Sequence, residues 1–288
     1  VDTLTVQSFL ETPFAAEAAP ESLRHKARLG HISFINSLPI LIPVLNRLVD
    51  MPAEVVIDAP TSLNRQYASG ELDLGAMSSY HYLKSGNLFL VPSMSISAEG
   101  PVGSVLLFSK QPIEELRGGT IAVTATSASS VNMLKALLLD RLSLNANFVV
   151  EENPNLESVA TDAVLVIGDQ ALAVDEQWSA IYHRVDLAEW WHRSYGLPFV
   201  FGLWAARAEW VRTNFALFQE ICTALVEAKR VGLSTAFGDV IAQAKAKSGL
   251  SESRLKRYFQ EELSFDLGDR QMQGLAKYAS LCQKYQLF

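Results

Sequence analysis

Residues 28–43 read RLGHISFINSLPILIP. Leu29, Ile32, Phe34 and Ile35 make an apolar run that stops at Asn36-Ser37, and Pro39 opens a second apolar run. A buried strand, a polar junction and a helix with proline in its first turn are the start of an α/β unit. At such a junction Asn36 and Ser37 either cap the helix or offer polar groups to a ligand.

The same alternation continues toward the C-terminus. AEVVIDA (53–59) is a second strand, followed by a helix with Ser62 as its cap and Gly70 as its stop. ELDLGAM (71–77) is a third strand, and Ser78-Ser79 start a short helix. Two strand-like stretches then flank Gly100-Pro101. After Gly118-Gly119 the pattern restarts with a strand TIAVTA (120–125), a helix SASSVNMLKALLLDRL and a strand NANFVVEE (145–152). A short helix near 154–161, the strand AVLVIGD (163–169) and the long strand GLPFVFGLWAAR (196–207) follow. The remainder is helical: Phe215, Phe218, Ile221, Cys222, Leu225 and Val226 recur at three and four, as do Leu275, Tyr278, Cys282 and Tyr285.

Two βαβ-rich blocks predict a two-lobed α/β protein, with a mostly parallel sheet in each lobe, a ligand cleft between them and a helical C-terminal segment. The segments near 98–109 and 196–207 are the expected crossings. The expected organisation is an N-terminal extension over 1–27, a first lobe from 28–109 plus 196–288, and a second lobe from 110–195.

With 288 residues, 49% of them hydrophobic, the chain can bury a sizeable core without disulfides or metal. Its net charge of −7 and the lack of a dense basic stretch argue against a nucleic-acid partner. Cys222 and Cys282 sit in apolar helical patterns and read as buried, reduced thiols of a cytoplasmic protein. Residues 1–27 carry acidic side chains and no long apolar stretch, so they read neither as a secretory signal nor as a membrane span.

In open α/β sheets the ligand crevice lies outside the carboxyl ends of the strands. Those ends share one chemistry here: Asn36 and Ser37, then Ser78 and Ser79, then Thr124, Thr126, Ser127, Ser129 and Ser130, then Gly168-Asp169. Each residue taken singly is an ordinary helix cap worth about 1 kcal/mol. Gathered in one cleft, hydroxyls, amides and free helix N–H groups would hold carboxylates. Asp169 reads equally as a cap and as a site residue. Ser104, inside GPVGSVLLFS, is a polar side chain in a strand crossing between lobes. His81 lies one turn beyond the serine junction, and Trp190-Trp191 and Trp204 read as interlobe packing. The phosphate-loop, dinucleotide and nucleophile-elbow patterns are missing, and no His-x-x-x-His or Cys-x-x-Cys supports a metal site. Local pattern thus reaches a two-lobed binder of a small anion.

RLGHISFINSLPI, SLNRQYASGELDLGAMSSYHYL, SISAEGPVGSVLLFSK, SASSVNMLKALL, VLVIGDQAL and YGLPFVFGLWAAR occur in that order. Together they resemble the chorismate dehydratases that open the futalosine route to menaquinone, a family similar in fold to the type II periplasmic binding proteins. The resemblance covers most of residues 28–210. It implies a carbon–oxygen lyase that converts chorismate, a dianion, to 3-[(1-carboxyvinyl)oxy]benzoate without metal or organic cofactor. It also implies that Asn36 and Ser104 are catalytic, and that Ser78, Ser79, Thr126, Ser127, Ser129 and Ser130 bind carboxylates; Asp169, from its place at a strand end, is a further candidate for substrate binding. Asn36 would hydrogen-bond the leaving hydroxyl or orient a carboxylate; Ser104 would face the ring and relay or position a proton. The sequence departs from the family pattern at Ser129 and Tyr195, where threonines are expected. A solute-binding protein of the same fold is the main alternative. The sister naphthoate synthase of the pathway is another, although INSLP does not match the PCPND-like segment expected there.

Overall fold

The computed structural model describes residues 26–157 and 160–288, so the expected N-terminal extension lies, up to residue 25, outside the described residues. Strand β1 (Ala27–Ile32) passes through a single 3-10 turn, Ile35–Ser37, into helix α1 (Leu38–Leu45). The alternation continues through β2 (Ala53–Asp58), α2 (Pro60–Ser69), β3 (Leu74–Ser78), α3 (Ser79–Ser85) and β4 (Leu88–Ala98). The second block holds β5 (Val105–Ser109), β6 (Thr120–Val123), α4 (Ala128–Leu142), β7 (Asn147–Val150) and β8 (Ala163–Ile167). It ends with α5 (Gly168–Ser179), β9 (His183–Asp186) and α6 (Leu187–Tyr195). The chain returns through β10 (Phe199–Arg207) to α7 (Ala208–Thr213), α8 (Phe215–Gly232), α9 (Phe237–Ser248) and α10 (Glu252–Arg257). A π-helical turn, Tyr258–Glu262, and α11 (Asp269–Lys284) close the chain.

Each lobe has a five-stranded sheet, with orders β2-β1-β3-β10-β4 and β7-β6-β8-β5-β9. In the first, β10 runs antiparallel to both β3 and β4; in the second, β5 runs antiparallel to both β8 and β9. The other two pairings in each sheet are parallel, so each sheet is mixed rather than mostly parallel in its pairings, although four of its five strands run in one direction. The lobe boundary differs from the expectation. Val105–Ser109 falls within the expected first lobe, yet all five residues are buried and pair with β8 of the second sheet, and Leu106–Ser109 pair with β9 as well. Once the chain has crossed at 99–104, only β8 and β9 can satisfy the backbone polar groups of this strand. Ser62 is also corrected: α2 opens with Pro60 after Ala59, and Ser62 lies inside its first turn. Gly70, at φ +79°, stops that helix as expected. Residues 151–157 carry no helix.

Strand β1 is buried almost throughout because α1 and α2 cover the sheet around it. Helix α1, LPILIPVL, is apolar on every side and lies under α8 and α9. Gly232 of α8 permits that contact: a Cβ there would fall 1.8 Å from the Pro39 carbonyl oxygen. The helical tail is not confined to the first lobe, since α11 packs on both β10 and α4. Trp191 of α6 stacks edge-on against Phe199 and Tyr278 and carries the apolar core across the crossing. Trp204 instead packs within the first lobe, against His31. Cys282 is buried and Cys222 half-buried, and both are free thiols.

His31 is fully buried, its Nε2 has no partner, and desolvation holds its pKa down at about 4. The neutral ring is therefore the folded form, whereas the unfolded chain takes up a proton near pH 6.5. Stability contributed by this site is complete above about pH 6.5 and is lost as pH falls toward 4, by about 1.4 kcal/mol per pH unit. Urea denaturation at pH 7 and pH 5 should show a shallower acid loss in His31→Gln than in the parent. Equal losses in both proteins would contradict a neutral buried ring.

Candidate active site

The first strand-to-helix junction separates two roles. The Ser37 hydroxyl is buried and lies 2.6 Å from the Ile32 carbonyl and 2.7 Å from the Phe34 carbonyl, to which it donates. It locks the turn and does not cap α1. Asn36 is left to line the cleft between the lobes, and its Oδ1 is buried without a hydrogen-bond partner. Rotation of the amide exchanges oxygen and nitrogen, so this position can offer a ligand an acceptor or donors.

Ser104 enters from the first crossing. The Val102 and Gly103 N–H groups donate to Asp186 Oδ2 at 3.0 and 2.8 Å, while Oδ1 of the same carboxylate caps α6. Gly103 has φ +65°, a conformation that favours glycine, and a Cβ there would displace the end of the Arg254 side chain, whose Nη2 lies 2.5 Å from that position. The Ser104 carbonyl accepts from Gly168 N–H at 2.7 Å, and its Oγ accepts from the Tyr258 phenol at 2.9 Å. Ser104 is 4% exposed and lines the cleft.

The N-terminus of α4 forms the facing wall, through Thr126, Ser127, Ala128, Ser129 and Ser130. This 15-residue helix has no acidic residue in its first turn and no side-chain cap. Its leading N–H groups and the positive end of its dipole therefore remain available to an anion. The hydroxyls are not equivalent. Ser129 Oγ is 3.0 Å from Ser79 Oγ and accepts from Tyr80 N–H, joining α4 to α3 across the lobes. Ser79 is fully buried in that contact and does not line the cleft. Ser78 does line it, and also caps α3 by accepting from His81 N–H. His81 turns toward Ser85, outside the cleft.

Asp169 belongs to a different contact. It stands in the first turn of α5, accepts from Ile35 N–H at 3.1 Å and pairs with Lys247 at 3.2 Å. Lys247 also donates to the Ser33 carbonyl. The carboxylate thus fastens the second lobe to the first and is not among the cleft residues, where it would repel an anionic ligand. Tyr195, a departure from the family pattern, donates to Asp140 at 2.9 Å. Asp140 also accepts from Lys284 and Tyr285. Burial raises its pKa, but these three hydrogen bonds outweigh that and hold it down at about 2.

The cleft encloses about 660 Å³ including its open mouth. Ile32, Phe34, Ile96, Val105, Ile167 and Phe201 give it apolar walls, and none of its lining residues is charged. Such a cavity suits a small molecule with a flat apolar portion and carboxylates that reach neutral donors. Among the described residues, no three His, Cys, Asp or Glu side chains gather as metal ligands. Tyr258 and Phe201 were not singled out in the sequence. The first sits in a helical pattern and the second in a buried strand, and neither local pattern points to a site.

A model of the menaquinone biosynthesis family matches residues 27–284. A chorismate dehydratase of Thermus thermophilus is 34% identical over 235 residues, spanning 76% of this chain and 83% of that protein. Among solved structures, protein AF1704 of Archaeoglobus fulgidus superposes with a TM-score of 0.76 at 19% identity, over 92% of this chain and 100% of its own. The alkanesulfonate-binding protein SsuA of Xanthomonas axonopodis, bound to MOPS, gives 0.66 at 16% identity, over 91% and 93%. These likenesses show the periplasmic-binding-protein-like fold.

The Asp169 contact makes a local prediction. Removing its carboxylate in Asp169→Ala should speed hydrogen exchange of the Ile35 amide by roughly tenfold, the scale of one lost charge-assisted hydrogen bond. Unchanged exchange would show that the lobes do not share this contact in solution.

Proposed function

The chain belongs to the menaquinone biosynthesis family, and from that premise we propose that its cleft dehydrates chorismate to 3-[(1-carboxyvinyl)oxy]benzoate, the first step of the futalosine route. The observation that carries this reading is the pairing of unspent polar groups. Asn36 Oδ1 has no partner, and the Ser104 hydroxyl proton has no acceptor among the described residues, yet both groups line one uncharged cleft. The 34% identity to a chorismate dehydratase supports the same substrate.

The reaction removes a proton from the ring carbon that bears the enolpyruvyl ether and hydroxide from the neighbouring carbon. The electrons of the broken C–H bond complete the aromatic ring, and the two fragments leave as water. The N-terminus of α4, with Ser127 and Ser130, holds one carboxylate; Ser78 and Thr126 stand beside it. The apolar walls hold the ring. Asn36 hydrogen-bonds the departing hydroxyl and Ser104 positions the proton that joins it. No lining residue is a base at neutral pH, so a carboxylate of the substrate itself is the proton acceptor in this reading. Holding the diene in reactive geometry supplies much of the acceleration, because aromatisation drives the elimination. A cytoplasmic location belongs to the same reading; no helix among the described residues is long and apolar enough to cross a membrane.

Purified protein incubated with chorismate should consume its diene absorbance and yield the benzoate by mass. Binding without turnover would favour a solute receptor, and no interaction would overturn the substrate. Ser104→Ala and Asn36→Ala should each lower kcat by about a hundredfold while leaving the fold intact, the scale of a lost transition-state donor. Near-normal rates in both would remove them from the chemistry.

A further inference from the structure

We propose that Tyr258 is a positioning residue for the dehydration: its phenol donates to Ser104 Oγ and thereby turns the Ser104 proton toward the substrate. The two residues lie 154 positions apart in sequence, and their oxygens are 2.9 Å apart. A serine hydroxyl has one donor and two acceptor sites. With Tyr258 occupying an acceptor site, the Ser104 proton has no partner among the described residues, and the free side of this buried hydroxyl is the cleft. A hydrogen bond received at Oγ also polarises the serine O–H and makes it a better donor.

The surroundings of Tyr258 are built for this reach. It is the first residue of the π-helical turn Tyr258–Glu262, and such turns recur where a helix redirects a functional side chain. Glu262 closes the turn through Arg254 at 2.9 Å and Arg257 at 3.0 Å. The Arg254 guanidinium lies 5.7 Å from the Tyr258 ring centre and occupies the space left by Gly103, beside Ser104. The first-lobe tail and the crossing loop are thus fitted together at one hydroxyl. Burial pushes the phenol pKa up, so Tyr258 remains a donor throughout the range in which the protein works.

The inference rests on the catalytic reading of Ser104, and kinetics of three variants separate the two. Tyr258→Phe should lower kcat about tenfold and leave KM within about twofold, whereas in a Ser104→Ala background the same substitution should change kcat by less than about twofold. Equal effects of Tyr258→Phe in both backgrounds, or a normal kcat in the single variant, would overturn the positioning role. A normal rate in Ser104→Ala would instead overturn the reading of Ser104 and the inference with it. Should Tyr258→Phe fail to fold, 3-fluorotyrosine introduced at position 258 alone keeps the ring and strengthens the donor. Its kcat should rise with KM and melting temperature unchanged, and an unaltered kcat would count against the proposal.

Discussion

A single buried carboxylate, that of Asp186, ties the outgoing crossing between the lobes to the start of α6, the helix that leads into the return crossing. One oxygen receives the N–H groups of Val102 and Gly103 in the outgoing crossing, and the other receives those of Ala188 and Glu189 at the start of α6. Burial raises its pKa, and the hydrogen bonds from Gly103, Glu189 and Val102, with the charge of Arg184, pull against that rise. Without it, three buried donors, the N–H groups of Val102, Gly103 and Ala188, would go unpaired, at about 1–3 kcal/mol for each. Ser104 follows directly on the loop that this carboxylate holds, and the helix that it caps carries Trp191 against Phe199 and Tyr278. A site at the crossing of two lobes needs a fixed crossing, and Asp186 provides it.

The cleft resolves an apparent conflict between a protein of net charge −7 and a dianionic substrate. Its lining contains no charge of either sign. Attraction comes instead from the neutral first turn of α4, whose N–H groups are free to meet an anion between apolar walls. Helix α5 points the same end at the lobe boundary, but Asp169 already compensates its dipole. The two helix starts are therefore divided, one for a ligand and one for the contact between lobes.

Much of this was legible in the sequence, because buried parallel strands and amphipathic helices leave strong periodicities. RLGHISFINSLPI, the α4 serines and the GPVGSV loop all reach the cleft or its edge. Three features were not legible for physical reasons. Val105–Phe108 is apolar throughout, and such a strand carries no signal of which sheet it joins. Ser79, Ser129 and Asp169 have the side chains of ligands, yet they serve lobe-to-lobe contacts; a polar residue at a strand end looks the same in either role. Tyr258 lies inside a helical pattern, and only a π-helical turn brings it to a serine 154 residues away.

The most direct measurement is a crystal structure of the Ser104→Ala protein with chorismate bound. One substrate carboxylate should lie within hydrogen-bond distance of the Ser129 and Ser130 N–H groups, the ring should rest against Phe201 and Ile96, and the Asn36 amide should contact the ring hydroxyl. A carboxylate held by a lysine or arginine outside this cleft, with the ring away from Asn36, would contradict the account.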